Sequence, residues 1–198
     1  MRHVNLRPHL ATRDYLHDMT RILVIAVVAM STLATSHAQT DKLGAQESSV
    51  LFTIYLVRHA EKQTLISDPP LTSCGEKRAV ALKEFWSDIP IDAVYSTDYK
   101  RTTSTAAPVA DAKDLEIQTY APHALEALKE TLMTKQQDAI VVGHSNTTAV
   151  LAGLLIGEEM GSFEESIYNR IYQVVVSNKQ QRLHVFHTAF GCNDETER

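Results

Sequence analysis

From Leu51 to Val57 the chain is apolar at every position but Thr53, and it then turns at once to Arg58, His59, Glu61 and Lys62. Further strand candidates lie at 92–95, 116–119, 138–142, 170–176 and 182–187. Between them, residues near 74–88, 99–112, 123–135 and 146–156 carry helical patterns. Apolar runs of strand length suit strands buried on both faces, and their alternation with helices indicates an α/β domain. The last two runs, in "YQVVVSNKQQRLHVF", predict an antiparallel hairpin turning at "SNKQQ". The expected fold is a three-layer α/β/α sandwich with a mostly parallel central sheet and one antiparallel edge strand.

One helix has a legible start. Ser73 followed by Glu76 fits a capping box, and Val80, Leu82, Phe85 and Trp86 recur at roughly helical spacing, as a core-facing stripe would. Ahead of the α/β pattern the chain reads differently. "RILVIAVVAM" places a cation before a short apolar run, and "STLATSHAQT" follows with a small-residue site at Ser36-His37-Ala38. That is the layout of a secretory signal over residues 1–38, too short for a comfortable transmembrane helix. Asp14 and Asp18 are unusual in a leader, and Met19-Thr20-Arg21 would begin a compact one, so translation is expected to start at Met19. Residues 39–49 read as a flexible lead-in, 50–190 as the folded domain, and 191–198 as a solvated tail.

Charge and cysteine content narrow the partners. The whole chain carries −5, and leaving out residues 1–38 removes four arginines and two aspartates, which makes the balance −7. Such a chain is poorly suited to a nucleic-acid backbone. A membrane would be a partner only if the leader stayed attached. Export to the periplasm or beyond is the expected location. Cys74 and Cys192 fit one disulfide in an oxidising compartment, and they fit two unrelated thiols equally well.

Ligands of open parallel sheets sit beyond the carboxyl ends of the strands. Three apolar runs here end in residues suited to a phosphate: Arg58-His59, then "YSTDYKRTTSTA" with Ser96 and Arg101, then "AIVVGHSNTT" with Gly143, His144 and Ser145. "LVRHAEK", "STDYKRTTSTA" and "VVGHSN", with "DPPLTSCGEKRA" ahead of the first helix, resemble the histidine phosphatase superfamily in motif type, order and strand context. The resemblance extends over about residues 51–187 and implies the phosphoglycerate-mutase-like fold.

The resemblance also implies roles. His59 would attack phosphorus and form a phosphohistidine that water hydrolyses. Arg58 and Arg101 would supply forked donors to the phosphoryl oxygens, joined by His144, Ser145 and Asn146 at the start of a helix. Flanking arginines would keep His59 neutral by lowering its pKa. No cofactor or metal is implied, and the partner would be a small-molecule or protein-borne phosphate. The chain lacks the tract in which many relatives carry an acid for the leaving group. Among Asp111, Asp114, Glu116, Glu126 and Glu130, Glu126 is the best placed. His123, His184 and His187 have ordinary surface or strand roles. A phosphate-binding protein without turnover is the competing reading.

Overall fold

A computed structural model describes residues 50–178 and 180–192. The expected leader at 1–38, with its alternative start at Met19, lies outside the described residues. So do the lead-in at 39–49 and the tail beyond Cys192. Six strands form one sheet: β1 Leu51–Arg58, β2 Ala93–Ser96, β3 Ile117–Thr119, β4 Ala139–Gly143, β5 Arg170–Ser177 and β6 Gln181–His187. Among the described residues four helices accompany them: α1 Ser73–Phe85, α2 Lys100–Ala112, α3 Leu125–Lys135 and α4 Thr148–Ile156. No helix among the described residues is long and apolar enough to cross a membrane.

The sheet order is β3-β2-β4-β1-β5-β6. β3, β2, β4 and β1 pair in parallel, while β5 runs antiparallel to both β1 and β6. The antiparallel pairing therefore gathers at one edge, as the hairpin pattern predicts. Parallel pairing in register Arg58↔Gly143 and Ser96↔Val142 brings the carboxyl ends of β1, β4 and β2 side by side. That shared end is where the three motifs meet.

Period-two alternation divides the apolar side chains between two cores. Ile54, Leu56 and Val141 face a cluster with Leu128 and Leu132 of α3 and Leu151 and Leu155 of α4. Tyr55, Val57 and Val142 face Leu82 and Trp86, with Val109 of α2. Helices thus cover both faces, which explains why β1 and β4 read as unbroken apolar runs.

Two expectations for α1 need correction. Its N-cap is Thr72, whose side chain accepts from the Gly75 amide, and Ser73 is the first helical residue. Val80 and Phe85 are 47% and 41% exposed, so the core stripe is Ala79, Leu82 and Trp86, with Arg78 beside it. Spacing of three and four from Leu82 selects 79 and 86 and rotates Val80 and Phe85 outward. Gly75 packs so closely on the Glu61 carbonyl that a Cβ there would collide with backbone. This contact fixes α1 against the loop that follows β1. Cys74 and Cys192 are bonded to each other, with Cα atoms 5.8 Å apart at a sequence separation of 118.

Candidate active site

The three strand ends open into a cavity of about 330 Å³ lined by Arg58, His59, Lys62, Tyr99, Arg101, Pro122, His144, Ser145, Asn146 and Glu165. The sequence candidates Arg58, His59, Arg101, His144, Ser145 and Asn146 are therefore brought together. Glu126 is not. It lies in the first turn of α3, 67% exposed, 3.5 Å from Lys129, and lines an adjoining groove with His123 and Leu154. The carboxylate that lines the cavity is Glu165, from the irregular segment between α4 and β5. Asp111, Asp114, Glu116 and Glu130 line neither this cavity nor the adjoining groove.

His59 is 2% exposed, and backbone bonds define its position. Its amide donates to the Gly143 carbonyl at 2.9 Å, continuing the β1–β4 ladder one residue beyond the strand. The Ala60 amide donates to Thr105 Oγ1 at 2.9 Å, and that hydroxyl donates to the Arg101 carbonyl at 2.7 Å. His59 Nδ1 stands 2.7 Å from the Ala60 carbonyl. A carbonyl can only accept, so Nδ1 carries the proton and Nε2 keeps its lone pair. Burial is the main cause that pushes the imidazole pKa down to about 3. The bond to Ala60 opposes this, and the charges of Arg58, His144 and Arg101 add to the lowering. At neutral pH the ring is uncharged and nucleophilic.

Arg58 is held from the far side of the site. Its Nη1 donates to the carbonyls of Glu165 and Ile167, the latter at 3.3 Å, and its guanidinium lies 4.1 Å from the centre of the Tyr168 ring. It does not pair with Glu61, whose carboxylate is taken by Arg78 at 2.6 to 3.0 Å. Arg101, on the first turn of α2, sits 4.4 Å over the Tyr99 ring and 3.7 Å from Asp68 Oδ1. Asp68 Oδ1 also accepts from the Lys100 amide at 3.1 Å, an anion suited to the amino end of α2. The buried Nε atoms of both arginines have no partner within the described protein. Two cations with uncommitted donors, beside a neutral imidazole, form a site with a strong preference for an oxyanion.

His144 follows β4 in a turn rather than inside a helix, because α4 begins four residues later at Thr148. The Thr147 and Thr148 amides both donate to its carbonyl, at 3.1 and 3.0 Å. Gly143 allows the turn to close: a Cβ there would lie 2.9 Å from Thr147 Oγ1 and from Tyr120 Oη. The His144 ring stands edge-on to His59 with centroids 5.5 Å apart. Burial first, then Arg101 and Arg58, lower its pKa to about 4.

The sequence reasoning did not find Lys62, Tyr99, Glu165, Tyr168, Thr97, Thr102 or Thr105. The hydroxyl-rich run "STDYKRTTSTA" was the available signal for the three threonines. His184 and His187 are exposed on β6, away from the cavity. Glu61, Cys74 and Cys192 converge, but the two sulfurs are bonded to each other and leave no thiolate for a metal.

Residues 54–130 match the family model described as histidine phosphatase superfamily (branch 1). Phosphoserine phosphatase 1 of Hydrogenobacter thermophilus is 38% identical over 71 residues. That alignment covers 32% of this chain and 34% of the relative, so the chain matches about a third of that protein's length. Among solved structures, a putative alpha-ribazole-5'-P phosphatase from Escherichia coli superposes with a TM-score of 0.58 at 19% identity, covering 72% of this chain and 99% of that one. The protein histidine phosphatase SixA complexed with tungstate gives 0.58 at 15% identity, covering 69% and 97%. These likenesses show a shared fold.

Proposed function

We propose that this chain is a member of the histidine phosphatase superfamily, whose family model its residues 54–130 match, and that it hydrolyses phosphomonoesters or phosphoramidates through a phosphohistidine on His59. The observation that carries the reading is the His59 ring itself. It is buried and neutral, with Nδ1–H spent on a carbonyl and Nε2 bare, in a cavity that two arginines line. Nε2 attacks phosphorus as the bond to the leaving group breaks, and the leaving group departs with a proton. Water then attacks phosphorus, the P–N bond breaks, and inorganic phosphate and neutral His59 result. Arg58 and Arg101 compensate the charge that spreads over the equatorial oxygens, so the reaction needs no metal ion.

Glu165 is the leaving-group acid in this reading, because it is the carboxylate among the cavity-lining residues. A carboxyl on the cavity wall is suited to pass a proton to the departing group. The relatives' names suggest a substrate panel of phosphoserine, alpha-ribazole-5'-P and a phosphohistidine peptide. Export is part of the proposal, supported by the Cys74–Cys192 bond and the leader layout of residues 1–38. Nucleic acid is not among the proposed partners.

The test is hydrolysis of p-nitrophenyl phosphate in EDTA, comparing wild type with His59→Ala. Activity that survives the chelator and disappears in the variant is the expected outcome. Tight phosphate binding by both proteins with no turnover by either would favour a phosphate-binding protein instead.

A further inference from the structure

Two buried hydroxyls in a row lead away from His144 Nε2. His144 Nε2 lies 3.0 Å from Thr97 Oγ1, which lies 2.9 Å from Thr102 Oγ1. Thr102 Oγ1 in turn stands 2.9 Å from both the Thr97 and the Tyr99 carbonyls. Thr97 and Thr102 are 0% exposed, so water does not compete for these bonds.

The proton positions follow from the end of the chain backwards. Carbonyls only accept, and Thr102 Oγ1 touches two of them, so its single proton is best placed on one of the two. Thr102 Oγ1 must then accept from Thr97, whose proton is thereby spent. Thr97 Oγ1 can only accept from His144, which places a proton on Nε2. The other nitrogen, Nδ1, faces Arg101 Nη2 at 3.4 Å, and a guanidinium cannot accept. Nδ1 is therefore bare in the free protein. This tautomer is opposite to that of His59, and as it stands it offers the cavity a lone pair where an anion requires a donor.

We propose that an oxyanion enters this site together with a proton, that the proton settles on His144 Nδ1, and that the Thr97–Thr102 relay reserves that nitrogen for it. Arg101 then turns its Nη2 to the oxyanion, and His144 becomes an imidazolium that donates through Nδ1 while Nε2 remains on Thr97. The groups facing the ring are compatible with this change. Arg58 and Arg101 repel the added charge in the free protein, and a dianion between them reverses that balance. His59 stays neutral beside it, and Tyr99 contributes an aromatic edge with ring centroids 5.3 Å apart. Thr97 and Thr102 thereby act as positioning residues. The tautomer concerns the free protein alone, whereas its use in turnover rests on the phosphatase reading.

Sulfate is the suitable probe, because unlike phosphate it remains a dianion across the working pH range. Histidine ¹⁵N NMR of the wild-type protein reads the two nitrogens directly. The expected result is a protonated Nε2 and a bare Nδ1 on His144 in the free protein, with both protonated once sulfate is bound. Calorimetry of sulfate binding in buffers of different ionisation enthalpy should show uptake of about one proton between about pH 5 and 8. Thr97→Val should remove the preference for Nε2–H and weaken sulfate binding by roughly two- to tenfold, the worth of one ordinary hydrogen bond. Thr97→Ser should restore both. A proton on Nδ1 in the free wild type, or sulfate binding without proton uptake, would overturn the proposal. Failure of the wild type to bind sulfate at all would instead count against the phosphate site itself, and the free-protein tautomer would still decide the relay.

Discussion

Acidification is the perturbation that most directly probes the environment of His59. An imidazole with the ordinary pKa of about 6.5 is about 3% neutral at pH 5 and largely lost as a nucleophile. Burial, aided by Arg58, His144 and Arg101, holds His59 at about 3, which leaves about 99% of it neutral at pH 5. The difference in available nucleophile is roughly thirtyfold. His144, at about 4, charges before His59 as pH falls, and its charged ring is the form that donates to a bound oxyanion. The acid limb of kcat/KM, which belongs to His59, should therefore set in below pH 4 with a midpoint near pH 3, once the substrate's own second ionisation, near pH 6 for a phosphoester, is measured and accounted for. The assay is a kcat/KM profile for p-nitrophenyl phosphate from pH 3 to 8, with circular dichroism at each point to confirm folding. An acid limb with its midpoint between pH 6 and 7 would refute the reasoning, because it would assign His59 a solvent-like environment. Stability moves with the same sign. Both rings are neutral when folded, so the unfolded chain takes up more protons below about pH 6.5, and stability declines from there toward pH 3.

Three further predictions test the positions of single residues. Glu165→Gln should slow hydrolysis of an alkyl phosphate by about 10²- to 10⁴-fold and affect p-nitrophenyl phosphate much less, whereas Glu126→Gln should leave both rates unchanged. Steady-state kinetics on the two substrates compares them. Cys74→Ser opens a loop of 118 residues and should cost up to about 5 kcal/mol by the chain-entropy account, read from urea midpoints without reductant. Gly143→Ala places a methyl 2.9 Å from Thr147 Oγ1 and Tyr120 Oη and should cost about 1–3 kcal/mol in overpacking, with a loss of activity larger than the loss of folded protein.

The parallel core was legible because its signal is local. β1 and β4 are buried on both faces, so each reads as one apolar run that stops where the cavity begins. The position of an exposed helix residue was less legible: Val80 is apolar and near the stripe, yet its angle around α1 points it outward. Side chains that arrive from irregular segments were the hardest to place. Glu165 lies in a stretch without periodicity, and only the fold of that stretch over Arg58 brings it to the cavity. Glu126 has a suitable sequence position, but the start of α3 directs it into the neighbouring groove. The Cys74–Cys192 bond depends on a distance across 118 residues that no spacing rule encodes. The threonine relay was hidden for a different reason. Its two threonines are ordinary residues whose role comes from the direction of each proton.

The most direct test of the central claim is isolation of the covalent intermediate. Wild-type protein mixed with a phosphoester, quenched in alkali within the first turnover and digested, should yield a phosphorylated peptide containing His59. The label should survive base, be lost in acid, and be absent from His59→Ala. Phosphate on any other residue, or undiminished turnover by His59→Ala, would contradict the account.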